Sequence, residues 1–169
     1  MSKTSSPKSI PQGYGTVTPW IISDDSAKLI EFLEQAFGAE EKAGSRMVNE
    51  QGGIDHVELR IGDSTVMLFD SHESWPVTPA FIRLFLEDAD QAYQRALRAG
   101  ATPVTQVTEL FWGDRVGRVR DPLGNIWWLQ THVKDVLPEE MAKRMQDPAQ
   151  IGAMHYVQQS LADELDNRR

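Results

Sequence analysis

Cysteine is absent from this chain of 169 residues. That excludes a disulfide framework, thiolate metal sites and a cysteine nucleophile, and it fits a reducing compartment. Basic residues are in the minority, with 17 Lys and Arg against 25 Asp and Glu and a formal net charge of −8. Nucleic acids and anionic membranes attract basic proteins through their phosphates, so neither is an expected partner and a small molecule is. Long apolar runs are missing as well. None approaches the ~20 residues that span a bilayer, and the N-terminal stretch MSKTSSPKSIPQG lacks the apolar centre of a signal peptide, so a cytoplasmic protein is expected. GxGxxG, P-loop, GxSxG, HxxxH and HExxH patterns do not occur, which leaves nucleotide-binding, serine-hydrolase and helix-borne zinc readings without support.

What is present suffices for one well-buried domain, since 40% hydrophobic and 25% charged residues are ordinary globular proportions. A disordered Ser/Lys/Pro tail is expected over 1–13. Residues 15–22 (GTVTPWII) read as a strand, with Pro19 marking an edge or an irregular position. Ser23 to Ser26 offer N-cap side chains for a helix whose Leu29, Ile30, Leu33, Ala36 and Phe37 share a face, and Gly38 ends it. A weak strand over 40–48 and two clearer ones over 55–61 and 65–70, joined at Gly62-Asp63-Ser64, complete the order βαβββ.

After a polar linker the order starts again. Residues 80–86 (AFIRLFL) read as a strand, and Asp88 with Gln91 three residues on marks a capped helix carrying Ala92, Tyr93 and Ala96, with Gly100 as its stop. Strands follow over 102–110, 115–120 and 126–131. Three anchors relate the halves: Asp24 to Asp88, Gly38-Ala39 to Gly100-Ala101, and the turn before Thr65 to Gly124-Asn125. The fold class is α+β: tandem modules over 14–70 and 80–132 build a curved mixed sheet with helices outside.

Strand alternation divides each strand into two faces. The more uniformly apolar set, taken as helix-facing, includes Trp20, Ile22, Leu59, Leu68, Leu84 and Trp127. The other set is mixed: Val17, Pro19 and Ile21; His56, Glu58 and Arg60; Met67 and Phe69; Phe81, Arg83 and Phe85; Ile126, Trp128 and Gln130. A face too apolar for open solvent and too polar for a core fits a cupped sheet around a ligand cavity.

The strings IGDSTVMLFD and FWGDRVGRVRDPLGNIWWLQTH, on these elements and in this order, resemble the vicinal oxygen chelate superfamily of glyoxalases, bleomycin-resistance proteins and extradiol dioxygenases, in particular its PhnB-like branch. The likeness covers about residues 15–132. It implies two modules paired edge to edge around a cavity, often in a dimer, so a homodimer is expected. In metal-using members His, Gln or Glu on the first and last strand of each module bind the ion. Counting from the pre-helix aspartates and the final turns puts Val17, Met67, Phe81 and Trp128 at those places. None is a ligand for a hard or borderline metal, so no metal and no cofactor is expected.

The candidate ligand-binding residues are Met67, Phe81, Arg83, Phe85, Trp112 and Trp128. Arg83, on a strand expected to be central, reads either as half of a structural ion pair with Glu58 or another acid, or as the anchor of an anionic ligand group. Trp112 reads as a wall on which a planar ligand stacks or as a plug at the sheet's end. Among Arg115, Arg118 and Arg120, alternation puts the last two on one face; at least one is expected to be solvated and the other at the cavity rim. His56 and Glu58 share a face and are the candidate catalytic pair, a base and its partner, with a solvated strand as the alternative. Beyond the repeat, 133–169 reads as a helical extension. Pro138 opens a short helix, Asp147-Pro148 opens a longer one, and Ile151, Met154, Val157, Leu161 and Leu165 form a stripe that packs on its own domain or across a dimer.

These readings point to a metal-free protein that binds an aromatic or polar, anionic small molecule in a concave cavity. The alternatives are a lyase, isomerase or dioxygenase-like enzyme with a displaced metal site or metal-free acid/base chemistry, and a noncatalytic regulatory or assembly protein that uses the tail.

Overall fold

The computed structural model describes residues 8–167. Of the tail expected over 1–13, residues 1–7 lie outside the described residues, and the Gly13 carbonyl accepts from Thr65 Oγ1 at 2.9 Å. β1 (Trp20–Ser23) begins directly after Pro19, which has no amide hydrogen to give a ladder, although its carbonyl accepts from Met67 N at 2.9 Å. Asp25 caps α1 (Ser26–Phe37) by accepting from Lys28 N at 2.9 Å, and Gly38 ends it in the left-handed region at φ 66°. The single weak strand expected over 40–48 is two pieces, β2 (Glu40–Glu41) and β3 (Met47–Val48), both paired with β4 (Ile54–Ile61). β5 (Ser64–Asp70) then runs antiparallel to β4 and parallel to β1.

The second module repeats this plan. β6 (Phe81–Phe85) leads into α2 (Ala89–Arg98), capped by Asp88 on Gln91 N, and then into β7 (Thr102–Glu109), β8 (Asp114–Arg120) and β9 (Ile126–His132). The strands hydrogen-bond as two sheets, β1-β5-β4-β2 and β6-β9-β8-β7. In both, the first strand of the module lies beside the last, parallel to it, and forms the sheet edge. This is the mixed α+β fold expected, with curved open sheets and the C-terminal helices added to them.

One apolar cluster runs through both modules. Val57, Leu59 and Leu68 pack on Leu29 and Leu33 of α1, α1 packs on α2, and α2 packs on Val119, Trp127 and Leu129. Trp127 is fully buried with its ring 5.2 Å from that of Phe37, and burying a side chain of this size stabilises by about 3 kcal/mol. Its indole N–H needs an acceptor there and finds Asp121 Oδ2 at 2.8 Å. Asp121 also accepts from Leu123 N, Asn125 N and Asn125 Nδ2, while Asn125 Oδ1 accepts from Ala80 N at 2.8 Å. The DPLGN turn therefore ties the start of β6 to β8 and β9.

Alternation holds on β4, β5, β6 and β9 but is reversed on β1. Ile21 is buried and pairs with Leu68, whereas Trp20 is 56% exposed, pairs with Met67 and lies on the open face with Ile22. Parallel register with β5 sets this, because Leu68 already faces α1 and only odd-numbered residues of β1 can join it. Trp20 thus moves to the face where its own apolarity did not place it.

The extension forms α3 (Pro138–Arg144) and α4 (Pro148–Asp166). α4 packs on β7 of its own chain, on the sheet face opposite α2, where Val157 closes over Leu110, Val116, Trp112 and Trp128. Among the described residues no helix is long and apolar enough to cross a membrane.

Candidate functional site

The open face of the second sheet is a grid set by strand register. Phe81, Ile126 and Arg120 form one row across β6, β9 and β8, and Arg83, Trp128 and Arg118 form the next. Phe85 with Gln130 and Val116 with Gln130 extend it. The Phe81 and Trp128 rings are 6.4 Å apart, and the guanidinium carbons of Arg83 and Arg118 lie 4.5 and 4.0 Å from the Trp128 ring centroid.

α4 covers one side of this grid. Arg118 donates through Nη1 to Val157 O at 2.7 Å and to Thr105 Oγ1 at 3.0 Å, and Thr105 bonds Ser160 Oγ at 2.7 Å. Tyr156 Oη accepts from Gln106 N at 2.8 Å, and Arg120 pairs with Glu164 at 3.0 Å. Arg118 is only 3% exposed, and burial, followed by the nearby Arg83 charge, pulls its guanidinium down to about 10. The expectation of solvated arginines fails for Arg118, because a helix the strand pattern does not reveal lies over it, while Arg115 is half-buried and paired with Asp90. Between α4 and the uncovered strand β6, a cavity of about 810 Å³ is lined by Phe81, Ile126, Arg120, Leu161, Leu165 and the linker residues Val77 and Pro79. That volume is in the range of small-molecule sites.

The predicted binding residues do not converge in one place. Phe81, Arg83 and Trp128 adjoin one another beside the cavity, and Phe85 continues their face, 66% exposed. Arg83 is not on a central strand, since β6 is an edge, and it does not pair with Glu58, which lies on the other sheet. Trp112 packs in the apolar cluster under α4, and its indole N–H donates to Asp114 Oδ2 at 2.9 Å. Asp114 also accepts from Gln130 and, at 2.6 Å, faces His132 Nδ1. Gly113 holds that turn closed at φ 94°, where an added Cβ would stand 2.0 Å from the Lys134 carbonyl oxygen. Met67 is on the first sheet.

There Met67 sits between Trp20 and Glu58 by register, with the Trp20 ring 5.4 Å from Phe69 and 5.8 Å from His56. His56 Nε2 and Glu58 Oε1 are 3.5 Å apart. Two residues that sequence reasoning passed over complete the cluster. Lys42 Nζ donates to Glu58 Oε2 at 2.7 Å and to Tyr14 Oη at 2.6 Å, and Tyr14 donates to Glu58. The Lys42 ammonium first, then the Tyr14 hydroxyl, holds the Glu58 carboxyl below the usual carboxylate range. Tyr14 precedes the first strand and Lys42 lies in the break between β2 and β3, so no periodicity marked either one.

The donor set does not fit the ion that metal-using relatives bind. Phe81 stands seven residues before the cap Asp88, and the same count from the observed cap Asp25 lands on Thr18, correcting Val17. Thr18, Met67, Phe81 and Trp128 supply no carboxylate or imidazole, and among the described residues no group of three or more His, Asp or Glu is arranged to hold a metal.

The family model of the Glyoxalase/Bleomycin resistance protein/Dioxygenase superfamily matches residues 14–129. An uncharacterized protein of Mycobacterium bovis is 38% identical over 140 residues, 76% of this chain and 91% of its own length. Among solved structures, TioX from Micromonospora sp. ML1 is similar at 25% identity and a TM-score of 0.59, over 70% of this chain and 99% of that one. The fosfomycin resistance protein FosX from Mesorhizobium loti shares the fold at 20% identity and a TM-score of 0.52, over 75% of this chain and 97% of its own. The chain belongs to the glyoxalase/bleomycin resistance/dioxygenase superfamily.

Proposed function

We propose that this member of the superfamily is a cytoplasmic small-molecule binding protein of the PhnB-like type, working as a homodimer and without a metal. It takes an aromatic or polar, anionic ligand on the open face of the second sheet. The carrying observation is the row Arg83, Trp128, Arg118 beside a cavity floored by Phe81 and Ile126. Aromatic faces and an exposed guanidinium there supply the apolar lining and few orienting groups that such sites need. The homodimer is argued from β6, an edge strand with Phe81 54% and Phe85 66% exposed, because an unpaired apolar edge invites a second chain. Native mass spectrometry of untagged protein tests the reading. The expected species is a dimer retaining an organic molecule, and a stoichiometric divalent ion held by residues of either open face would overturn it.

A second reading has its own observation, the His56–Glu58 contact beside Tyr14 and Lys42. A carboxylate held ionised orients a histidine base, as an acid/base enzyme of the lyase or isomerase kind requires. It expects turnover of a small oxygenated substrate that His56→Ala abolishes while the fold survives, and unchanged turnover removes the roles of both residues.

A further inference from the structure

We propose, resting on the binding reading above, that the second sheet and α4 together form a site for an amphiphilic anion, with a compact oxyanion head at Arg83 and Arg118 over Trp128 and an apolar body in the cavity against Leu161 and Leu165.

The charge pattern points to the head. The chain carries an excess of acids, and they compensate the neighbouring arginines: Asp90 pairs with Arg115, Glu164 with Arg120 and Glu109 with Arg144. Among the described residues neither Arg83 nor Arg118 makes an ion pair. Arg118 has only the neutral acceptors Thr105 Oγ1 and Val157 O, and its Nε is buried without an acceptor. A buried cation without a counter-charge is costly, and a second cation across one tryptophan adds repulsion. An oxyanion bound at this row relieves both. Arg83, exposed on the edge strand, grips it directly. Arg118, sealed under Val157, acts through a low-dielectric interior where its field is little screened.

The body follows from register. One row away, Phe81, Ile126 and Arg120 floor the cavity, about 7 Å along the strands, since same-face residues are two apart. Leu161 and Leu165 of α4 form its opposite wall. A ligand with its head at Arg83 and a fused bicyclic ring or short chain behind it spans both rows. The C-terminal extension is thus part of the binding site, and Arg120, already paired with Glu164, is spared for the wall.

The test uses 2-naphthoate and its neutral isostere 2-naphthamide, titrated calorimetrically against the full chain. The carboxylate is expected to bind at least about tenfold more tightly, the worth of one charge-assisted hydrogen-bonded contact. Arg83→Gln should abolish that preference, Arg118→Gln, which removes the buried charge, should reduce it while Arg118→Lys, which keeps the charge, should leave it, and Leu161→Trp should weaken both probes. Equal affinity for the two probes overturns the head assignment and leaves the binding reading intact. Failure of both probes while purified protein retains another molecule overturns the site alone, and failure with nothing retained overturns both readings. Arg83→Gln that dissociates the dimer without changing naphthoate affinity gives Arg83 to an acid of a second copy, and overturns the proposal too.

Discussion

On the first sheet Trp20, Met67 and Phe69 lie open or half-buried; on the second, Val116 and Arg118 occupy the corresponding face and are buried under α4. The two modules share an element order, a strand order and one core, so the difference does not arise inside the repeat. It comes from the 19 residues of α4, which find an apolar patch only on the second module. A duplicated module thus supplies two similar surfaces, and what the chain adds afterwards decides which of them remains open. Their turns differ in the same way. The link between β8 and β9 is organised by the buried Asp121, whereas Asp63, between β4 and β5, is exposed and accepts from Ser64 Oγ at 2.9 Å.

Removing those two aspartates gives the largest contrast. Asp121→Ala leaves the Trp127 indole and the Asn125 donors buried without an acceptor, and should cost about 3 kcal/mol in urea unfolding. Asp63→Ala should stay within about 0.5 kcal/mol. Equal costs would mean that the second turn is not the anchor of its module.

The next contrast sets the covered face against the open one. Val157→Ala removes two buried carbons and leaves a void over Val116, for about 2 kcal/mol. Trp20→Ala gives up ring contacts with Phe69 and His56 at a half-exposed position, worth less than about 1.5 kcal/mol. Should Trp20→Ala prove the costlier at micromolar concentration, the first face is covered in solution by another molecule, and the contrast belongs to the isolated chain alone.

Much of this was legible in the residues. Gly38, Asp88, the DPLGN string and the period-2 strands sufficed for the element order, because local chemistry dictates caps, turns and buried faces. The face of β1 was not legible, since Trp20 is apolar enough for either side and register with Leu68 decides. Nor was the burial of Arg118, which depends on a helix 39 residues further on whose Val157 carbonyl accepts its hydrogen bond. Phe81, Arg83 and Trp128 came together as expected because they share a register row or its neighbour. Met67 followed its own sheet away from them, since strand alternation identifies a face within one sheet and carries no information on how two sheets are placed.

The smallest contrast is in pH. On the first module Glu58 is held below the usual carboxylate range by Lys42 and Tyr14, so the stability it contributes is present above an ordinary carboxyl pKa and is lost as pH falls through the lowered one. On the second module His132 is raised by Asp114 and then Asp135, so its contribution is present below an ordinary imidazole pKa and is lost as pH rises through the raised one. The two modules therefore weaken at opposite ends of the pH scale. Both pairs face solvent enough that each effect is modest. Glu58→Gln should flatten only the acid limb of a stability profile, and His132→Gln only the limb above neutrality. Proton NMR gives the direct reading: the His132 imidazole should titrate above the ordinary value of about 6.5, and Asp114→Asn should bring it back down. A His132 that titrates normally in the parent chain would show that Asp114 does not hold it, and that the turn carrying Trp112 rests on Gly113 and Gln130 instead.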